Sequence, residues 1–270
     1  MSKGAIIFAY DKAYAYTKMA AVAARLVKKH LGIPVTLVTD KEISDPAFDQ
    51  VIIHKNIEPE QLREFDGELK PWANQNRSTV YHLSPYDQTL LIDADYFVMN
   101  DVLKSVFDTD LEFACYGTAT SLDGYTVFEK TIGTNSIPMQ WATVIYFTKN
   151  QLAESVFSFI NYIKDHFEFY SLMYNFSNLN FRNDYALSIA LQTLTGYQTN
   201  NFNSLPGELY TLPPAAAIIE VRPGNEILYT YPSGITRNMV VNKVRACSVH
   251  VLGKKQLFEH EILDQLLINA

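Results

Sequence analysis

The tripeptide Asp93-Ala94-Asp95 closes the apolar run Thr89-Leu90-Leu91-Ile92 and is followed by Tyr96-Phe97-Val98. Alternate residues of an extended chain point to the same side, so the two carboxylates can converge on one cation. Carboxylate oxygens suit Mg²⁺ or Mn²⁺, and such ions commonly bridge the phosphates of a nucleotide. A strand-end turn whose aspartates cap backbone amides accounts for the same letters, so the tripeptide alone decides nothing. A second group is His250-Val251-Leu252-Gly253-Lys254-Lys255. Imidazole nitrogen suits Mn²⁺ better than Mg²⁺, and the glycine and lysines offer close backbone approach and positive charge to a diphosphate. A third is Ala9-Tyr10-Asp11-Lys12-Ala13-Tyr14. There a carboxylate can accept an imide N–H and a ring can stack on a pyrimidine, although a helix cap and packing explain them equally.

These groups need strands to present them. Ile6 to Ala9 reads as a first strand, Val35 to Val38 as a second and Val51 to Ile53 as a third. Between the first two, Thr17 to Leu31 has Met19, Val22, Ala23, Leu26 and Val27 at helical spacing and stops at Gly32 and Pro34. A further helix around Gln75 to Leu83 leads into the strand ending at Asp93. That strand, apolar throughout, reads as buried on both faces. Alternating strands and helices imply a parallel sheet, and ligands collect outside the carboxyl ends of such strands. Farther on, Met139 to Phe147 reads as a strand, Gln151 to Phe169 and Asp184 to Leu194 as helices, Val244 to Val251 as a late strand and His260 to Asn269 as a closing helix. Tyr170 to Asn183 and Gln198 to Pro214 read as loops. Nine aromatics between Phe157 and Phe181, with Asn175, Asn178, Asn180 and Asn183, suit either sugar recognition or a helix core with Asn-rich turns.

Composition narrows the partners. The 270 residues suffice for a large core, and 48% hydrophobic with 19% charged residues is ordinary for a globular protein. A net charge of −7 argues against a broad nucleic-acid surface. Cys115 and Cys247 are too few for a disulfide framework or a cysteine metal site. No apolar run approaches the roughly 18 residues of a membrane span, and the first apolar stretch is too short for a signal peptide. A soluble, cytoplasmic protein is expected.

Taken together, the groups at Asp11 and Tyr14, at Leu91-Ile92-Asp93-Ala94-Asp95-Tyr96-Phe97-Val98 and at His250 to Lys255 give a chain that resembles the family 8 glycosyltransferases. These include bacterial UDP-galactose- and UDP-glucose-dependent transferases and glycogenin-like enzymes. The resemblance covers most of the chain and is strongest over 5–40, 77–118 and 248–255. It implies an α/β, Rossmann-like GT-A fold with a mainly parallel central sheet, flanking helices and a smaller acceptor-side subregion. A single domain over 1–270 is expected, with 1–118 as the nucleotide-binding half and 119–270 closing back on the metal site. The implied activity is metal-dependent transfer from a UDP-sugar to a carbohydrate or other hydroxyl acceptor, with retention of configuration. By the same resemblance Asp93, Asp95 and His250 hold Mn²⁺ (or Mg²⁺), Asp11 reads the uracil edge and Tyr14 stacks on it. Ala9, Tyr10 and Ala94 lie along the nucleoside, and Gly253, Lys254 and Lys255 along the diphosphate. Arg77 contacts phosphate or donor sugar. Gln140, Trp141, Thr143 and Asn183 line the donor-sugar pocket, and Asp184 faces the anomeric centre.

Four positions depart from the family pattern. Gln256 stands where a phosphate-binding lysine is usual, Trp141-Ala142-Thr143 replaces Asn-x-Gly, Ala13 replaces an Asn, and Asn183-Asp184-Tyr185 occupies the Asp-Gln helix start with a register open by one residue. These leave the nucleotide expectation intact and the identity of the sugar open. A nucleotidyltransferase would be expected to carry a Gly-rich loop after the first strand, yet Tyr10 to Tyr16 contains no glycine. A silent nucleotide-sugar binder and a transferase acting on a modified nucleic-acid base are the other readings. The charge disfavours the latter.

Overall fold

The computed structural model describes residues 1–55, 61–65, 68–133, 137–176, 180–198, 202–236, 238–259 and 261–269, with backbone only at 61, 63–65 and 259. Asn178, His260 and part of the expected 198–214 loop therefore lie outside the described residues. The chain begins with β1 (Lys3–Phe8), α1 (Tyr16–Leu31) and β2 (Val35–Thr39). Met19, Val22, Ala23, Leu26 and Val27 of α1 are buried, as their spacing predicts. Gly32 closes the helix in the left-handed region (φ 68°) and its amide bonds the Lys28 carbonyl, a conformation glycine adopts without steric cost. β3 (Gln50–Ile53) follows without an intervening helix, and then the hairpin β4 (Gln61–Phe65) and β5 (Glu68–Trp72).

The helix predicted over Gln75 to Leu83 is instead a tight 3₁₀ stretch, Asn74–Thr79, that becomes the single α-turn α2 (Val80–Leu83). Thr79 Oγ1 donates to the Asn76 carbonyl at 2.7 Å, a local side-chain bond of the kind that competes with α-helical pairing. β6 (Gln88–Asp93) then runs down the sheet centre, and β7 (Tyr96–Phe97) leaves it after Asp95. β8 (Phe113–Tyr116), β9 (Ala119–Ser121), the short ladder β10 (Thr131–Ile132) and β11 (Ile137–Pro138), and β12 (Trp141–Thr148) follow. The strand expected from Met139 thus starts at Trp141.

The six-stranded central sheet has the order β3-β2-β1-β6-β12-β8. β3, β2, β1 and β6 are parallel, whereas β12 is antiparallel to both β6 and β8. The result is a mixed α/β fold with a mainly parallel central sheet. β2 and the interior of β6 are buried throughout, as strands covered on both faces must be.

The long helix expected over Gln151 to Phe169 is broken at His166 into α3 (Gln151–Asp165) and α4 (Phe167–Tyr174). Asn150 caps α3 by accepting the Ala153 amide at 2.9 Å. The break re-aims the aromatic run, so that Phe167, Tyr170 and Tyr174 join Phe157 in the core and Tyr170 to Tyr174 is helix rather than loop. α5 (Asn183–Leu194) lies against α3 and β12.

After α5, β13 (Leu209–Leu212) sits within the expected loop 198–214. An antiparallel meander that the sequence reading did not foresee comes next: β14 (Ala217–Arg222), β15 (Glu226–Pro232) and β16 (Met239–Arg245). The single late strand expected over Val244 to Val251 is split. Ala246 takes φ 47° while its amide bonds Asn225, and the chain re-enters extended structure only at β17 (Val249–Val251). α6 (Lys255–Glu259) and α7 (Ile262–Asn269) complete the described chain. β7, β17, β13 and β9 form a second, four-stranded sheet. Among the described residues no helix is long and apolar enough to cross a membrane.

Candidate active site

Asp93 is the last residue of β6, and the chain turns through Ala94 and Asp95 before β7. β7 pairs antiparallel with β17, setting Tyr96 opposite His250, and the Val251 amide bonds the Asp95 carbonyl at 3.0 Å. This pairing brings three side chains of metal-ligating type together across about 155 residues of sequence. One ligand atom each of Asp93, Asp95 and His250 lies within 4.8 Å of the others. Thr143 on β12 approaches His250 Nδ1 at 3.4 Å. The group forms part of the wall of a cleft of about 680 Å³ at the carboxyl end of β1 and β6.

Two basic side chains already occupy these carboxylates. Arg77 Nη1 stands 2.8 Å from Asp93 Oδ1, and Arg77 Nη2 donates to the Thr143 carbonyl at 3.2 Å. Lys254 Nζ lies 2.6 Å from Asp95 Oδ2, and His250 Nε2 lies 3.4 Å from Asp95 Oδ1. The two acids titrate in opposite directions. Burial, partly offset by Arg77 and reinforced by Asp95, pushes Asp93 up to about 6. Burial also opposes ionisation of Asp95, but the Lys254 ammonium and the His250 ring outweigh it and hold that carboxyl well below the usual range. Asp93 retains 21% side-chain exposure to the cleft, so water screens part of its charge.

The first turn of α5 forms the facing wall. Asp184 Oδ1 accepts the Ala142 amide at 2.9 Å and Oδ2 lies 3.5 Å from Arg182 Nη2, so both oxygens are engaged. Asn183 donates to the Asn74 carbonyl at 3.1 Å, and Trp141 packs edge-on against Phe128 at 5.5 Å. Trp141, Thr143, Asn183 and Asp184 all line the cleft. Gln140 is not among its lining residues: it is buried, with Oε1 accepting the Cys115 thiol at 3.3 Å. Arg182 also lines this wall, with Glu129 at 3.2 Å, the Tyr185 ring 4.4 Å beneath its guanidinium and the Tyr185 hydroxyl bonded to Glu129.

On the other side, Tyr10 and Lys12 line the cleft beyond β1. Burial, with Asp40 nearby, pushes the Tyr10 phenol far up, so it is a neutral donor. Ala9 and Ala94 are buried. Asp11 faces its own chain: it accepts the Thr17 amide and hydroxyl, each at 2.7 Å, and pairs with Lys41 at 2.6 Å. That ties the 9–15 loop to the first turn of α1. The Tyr14 ring stacks on Phe258 at 6.0 Å with Lys70 4.8 Å from its centroid. Neither Asp11 nor Tyr14 is among the lining residues.

The departure at Gln256 also has a physical reason. Its side chain is buried in bonds to the Ile218 amide (2.5 Å) and the Ala216 carbonyl (2.7 Å), locking α6 to β14. A Cβ on Gly253 would meet Gln256 Nε2 at 2.8 Å and the Pro214 carbonyl at 3.0 Å, so the glycine permits this packing. Lys255 is exposed at the start of α6.

Arg182 and Glu129 carry no motif of their own in the sequence, although Arg182 directly precedes Asn183-Asp184-Tyr185. Pro71 and Trp72 on β5 form part of the rim. Lys12 was signalled only by its place beside Asp11.

No family model matches the chain, and no curated protein matches it. Among solved structures, the glycosyltransferase GlyE of Streptococcus pneumoniae TIGR4 is similar over 76% of this chain and 45% of its own, at 15% identity and a TM-score of 0.42. This chain thus spans less than half of that one. The galactosyltransferase LgtC, in complex with donor and acceptor sugar analogues, is similar over 71% of this chain and 70% of its own, at 15% identity and a TM-score of 0.46. An active-site mutant of LgtC aligns over 77% of this chain at 14% identity and the same TM-score of 0.46.

Proposed function

We propose that this chain is a GT-A-type glycosyltransferase that moves a sugar from a UDP-sugar to an acceptor hydroxyl, with retention of configuration and a divalent cation as cofactor. The observation that carries this reading is the convergence of Asp93, Asp95 and His250 within 4.8 Å in a polar cleft of about 680 Å³. Two carboxylates and one imidazole form a donor set that fits Mn²⁺ and tolerates Mg²⁺. A cation held there supplies positive charge against the departing diphosphate.

The remaining chemistry falls to the chain's own side chains. Arg77, anchored on Asp93 and on the Thr143 carbonyl, is a fixed positive group at the floor of the cleft. Lys12 and Arg182 add positive charge on opposite walls. Arg77 and Arg182, held by their ion pairs, stabilise a leaving diphosphate with little reorganisation during the reaction. Asp184, held by the Ala142 amide and Arg182, is an acceptor-only carboxylate. It suits orientation of a sugar hydroxyl or stabilisation of an oxocarbenium-like centre, not proton donation. Trp141 offers a flat apolar face of the kind that covers a sugar ring.

The test is incubation of the full chain with a panel of UDP-hexoses and UDP-N-acetylhexosamines in Mn²⁺ or in EDTA, with released UDP measured by mass spectrometry. Mn²⁺-dependent hydrolysis of at least one donor is expected. Absence of both UDP binding and hydrolysis across the panel defeats the reading.

A further inference from the structure

We propose that Lys254 is a tethered competitor for the cation site: its ammonium holds Asp95 when no metal is bound, and it must swing away before Asp95 can serve as a ligand. The inference rests on the metal-assisted reading above and concerns how that site is controlled.

Asp93 and Asp95 together carry two negative charges, and Arg77 and Lys254 already neutralise them at 2.8 and 2.6 Å. A dication entering beside both bases would sit against like charge, so one of them has to move. The two are not equivalently held. Arg77 is 4% exposed and fixed by its second bond, to the Thr143 carbonyl. Lys254 has a longer contact to the Leu252 carbonyl at 3.3 Å and otherwise reaches only Asp95 among the described partners. Its side chain is 10% exposed, unusual for lysine unless paired, and it borders the open cleft. The backbone behind it is pinned, because Gly253 is packed against the Pro214 carbonyl and Gln256. Movement therefore belongs to the flexible four-carbon stem, which can carry the ammonium from Asp95 toward the cleft. There a diphosphate offers a new acceptor. One side chain thus keeps a buried carboxylate paired in the empty protein and becomes available to the phosphates once the cation arrives.

The test measures Mn²⁺ binding to the full chain without nucleotide, near neutral pH, from the electron paramagnetic resonance signal of the free ion. Lys254→Met is expected to bind Mn²⁺ at least about tenfold tighter than the unmodified chain, equivalent to about 1.4 kcal/mol. Lys254→Arg, which keeps the charge, should bind no tighter, and Asp95→Asn should lose the site. Equal or weaker binding by Lys254→Met, no binding by either chain, or binding that survives Asp95→Asn overturns the proposal. Should Lys254→Met not fold, the unmodified chain answers the same question by acetic anhydride labelling, with exposed Lys41 as internal standard. A severalfold rise in Lys254 labelling on adding Mn²⁺ is expected, and an unchanged rate overturns the proposal. Neither readout uses a sugar donor. Mn²⁺ binding of the expected pattern without UDP binding or donor hydrolysis would therefore sink the transferase reading and leave the role of Lys254 standing.

Discussion

Arg77→Met removes the guanidinium that stands 2.8 Å from Asp93 Oδ1 while keeping most of the buried stem. Breaking a buried ion pair by deleting one partner costs about 3–5 kcal/mol. Asp93 keeps 21% side-chain exposure, which places this case at or below the lower end, and the lost bond to Thr143 adds about 1 kcal/mol. A loss of about 3 kcal/mol is expected near pH 8, where Asp93 is ionised. The pH dependence has a definite sign. Burial, against the pull of Arg77, raises Asp93 from its ordinary 3.8 to about 6. A carboxyl raised in this way binds its proton more tightly folded than unfolded. Its contribution to stability is fully present below 3.8 and is lost as pH rises through 6. Without Arg77 the folded-state value climbs further, so the deficit of the variant widens over and beyond that window and shrinks to about 1 kcal/mol near pH 5. Urea unfolding in EDTA near pH 5 and pH 8, followed by tryptophan fluorescence, measures both. Adding Asp93→Asn should recover about 2 kcal/mol of the loss near pH 8, as a double-mutant cycle between contacting groups does. Equal deficits at both pH values, with no recovery in the double variant, would refute the reasoning.

Asp184→Asn should leave UDP affinity within a factor of about two and lower donor hydrolysis by about two orders of magnitude, as loss of one charged transition-state contact does; titration calorimetry and hydrolysis rates on the same samples separate the two. Asp11→Ala should lower stability by about 1 kcal/mol, the cost of a lost helix-start acceptor, and weaken UDP and ADP alike by loosening the loop that carries Tyr10 and Lys12. Thr17→Val should reproduce part of that general weakening. Loss of UDP binding alone in Asp11→Ala would show that the carboxylate reads the base.

Much of the floor of the site was legible because its signals are local. Asp93 and Asp95 close an apolar run, and that run is the sheet-centre strand β6. His250 could be matched to them only through the family pattern, since the β7–β17 pairing that joins them depends on long-range register. The state of the acids was illegible: nothing in the letters at 77 or 254 says that each base lands on a different aspartate. Asp11 shows the opposite limit, because a carboxylate poised to read a base and one that holds Thr17 and Lys41 have the same spelling. The meander β14–β16 was missed since its apolar stretches are short and its last strand, β16, is largely exposed, so no long buried run marks it. The break at His166 was missed because the aromatic periodicity of α3 continues across it.

The antiparallel contact of β7 with β17 has a consequence for how the protein comes into being. It joins residues about 150 positions apart, so it is expected to form after the sequence-local β1–α1–β2 unit. Until Val249 to Lys254 arrive, Asp95 has neither His250 nor Lys254, and the carboxylate pair is balanced by Arg77 alone. Docking of this short strand then brings the second base, Lys254, and the imidazole to Asp95. The three candidate ligand side chains therefore come together only when this strand is in place, so the cleft floor and the second sheet are completed by one pairing.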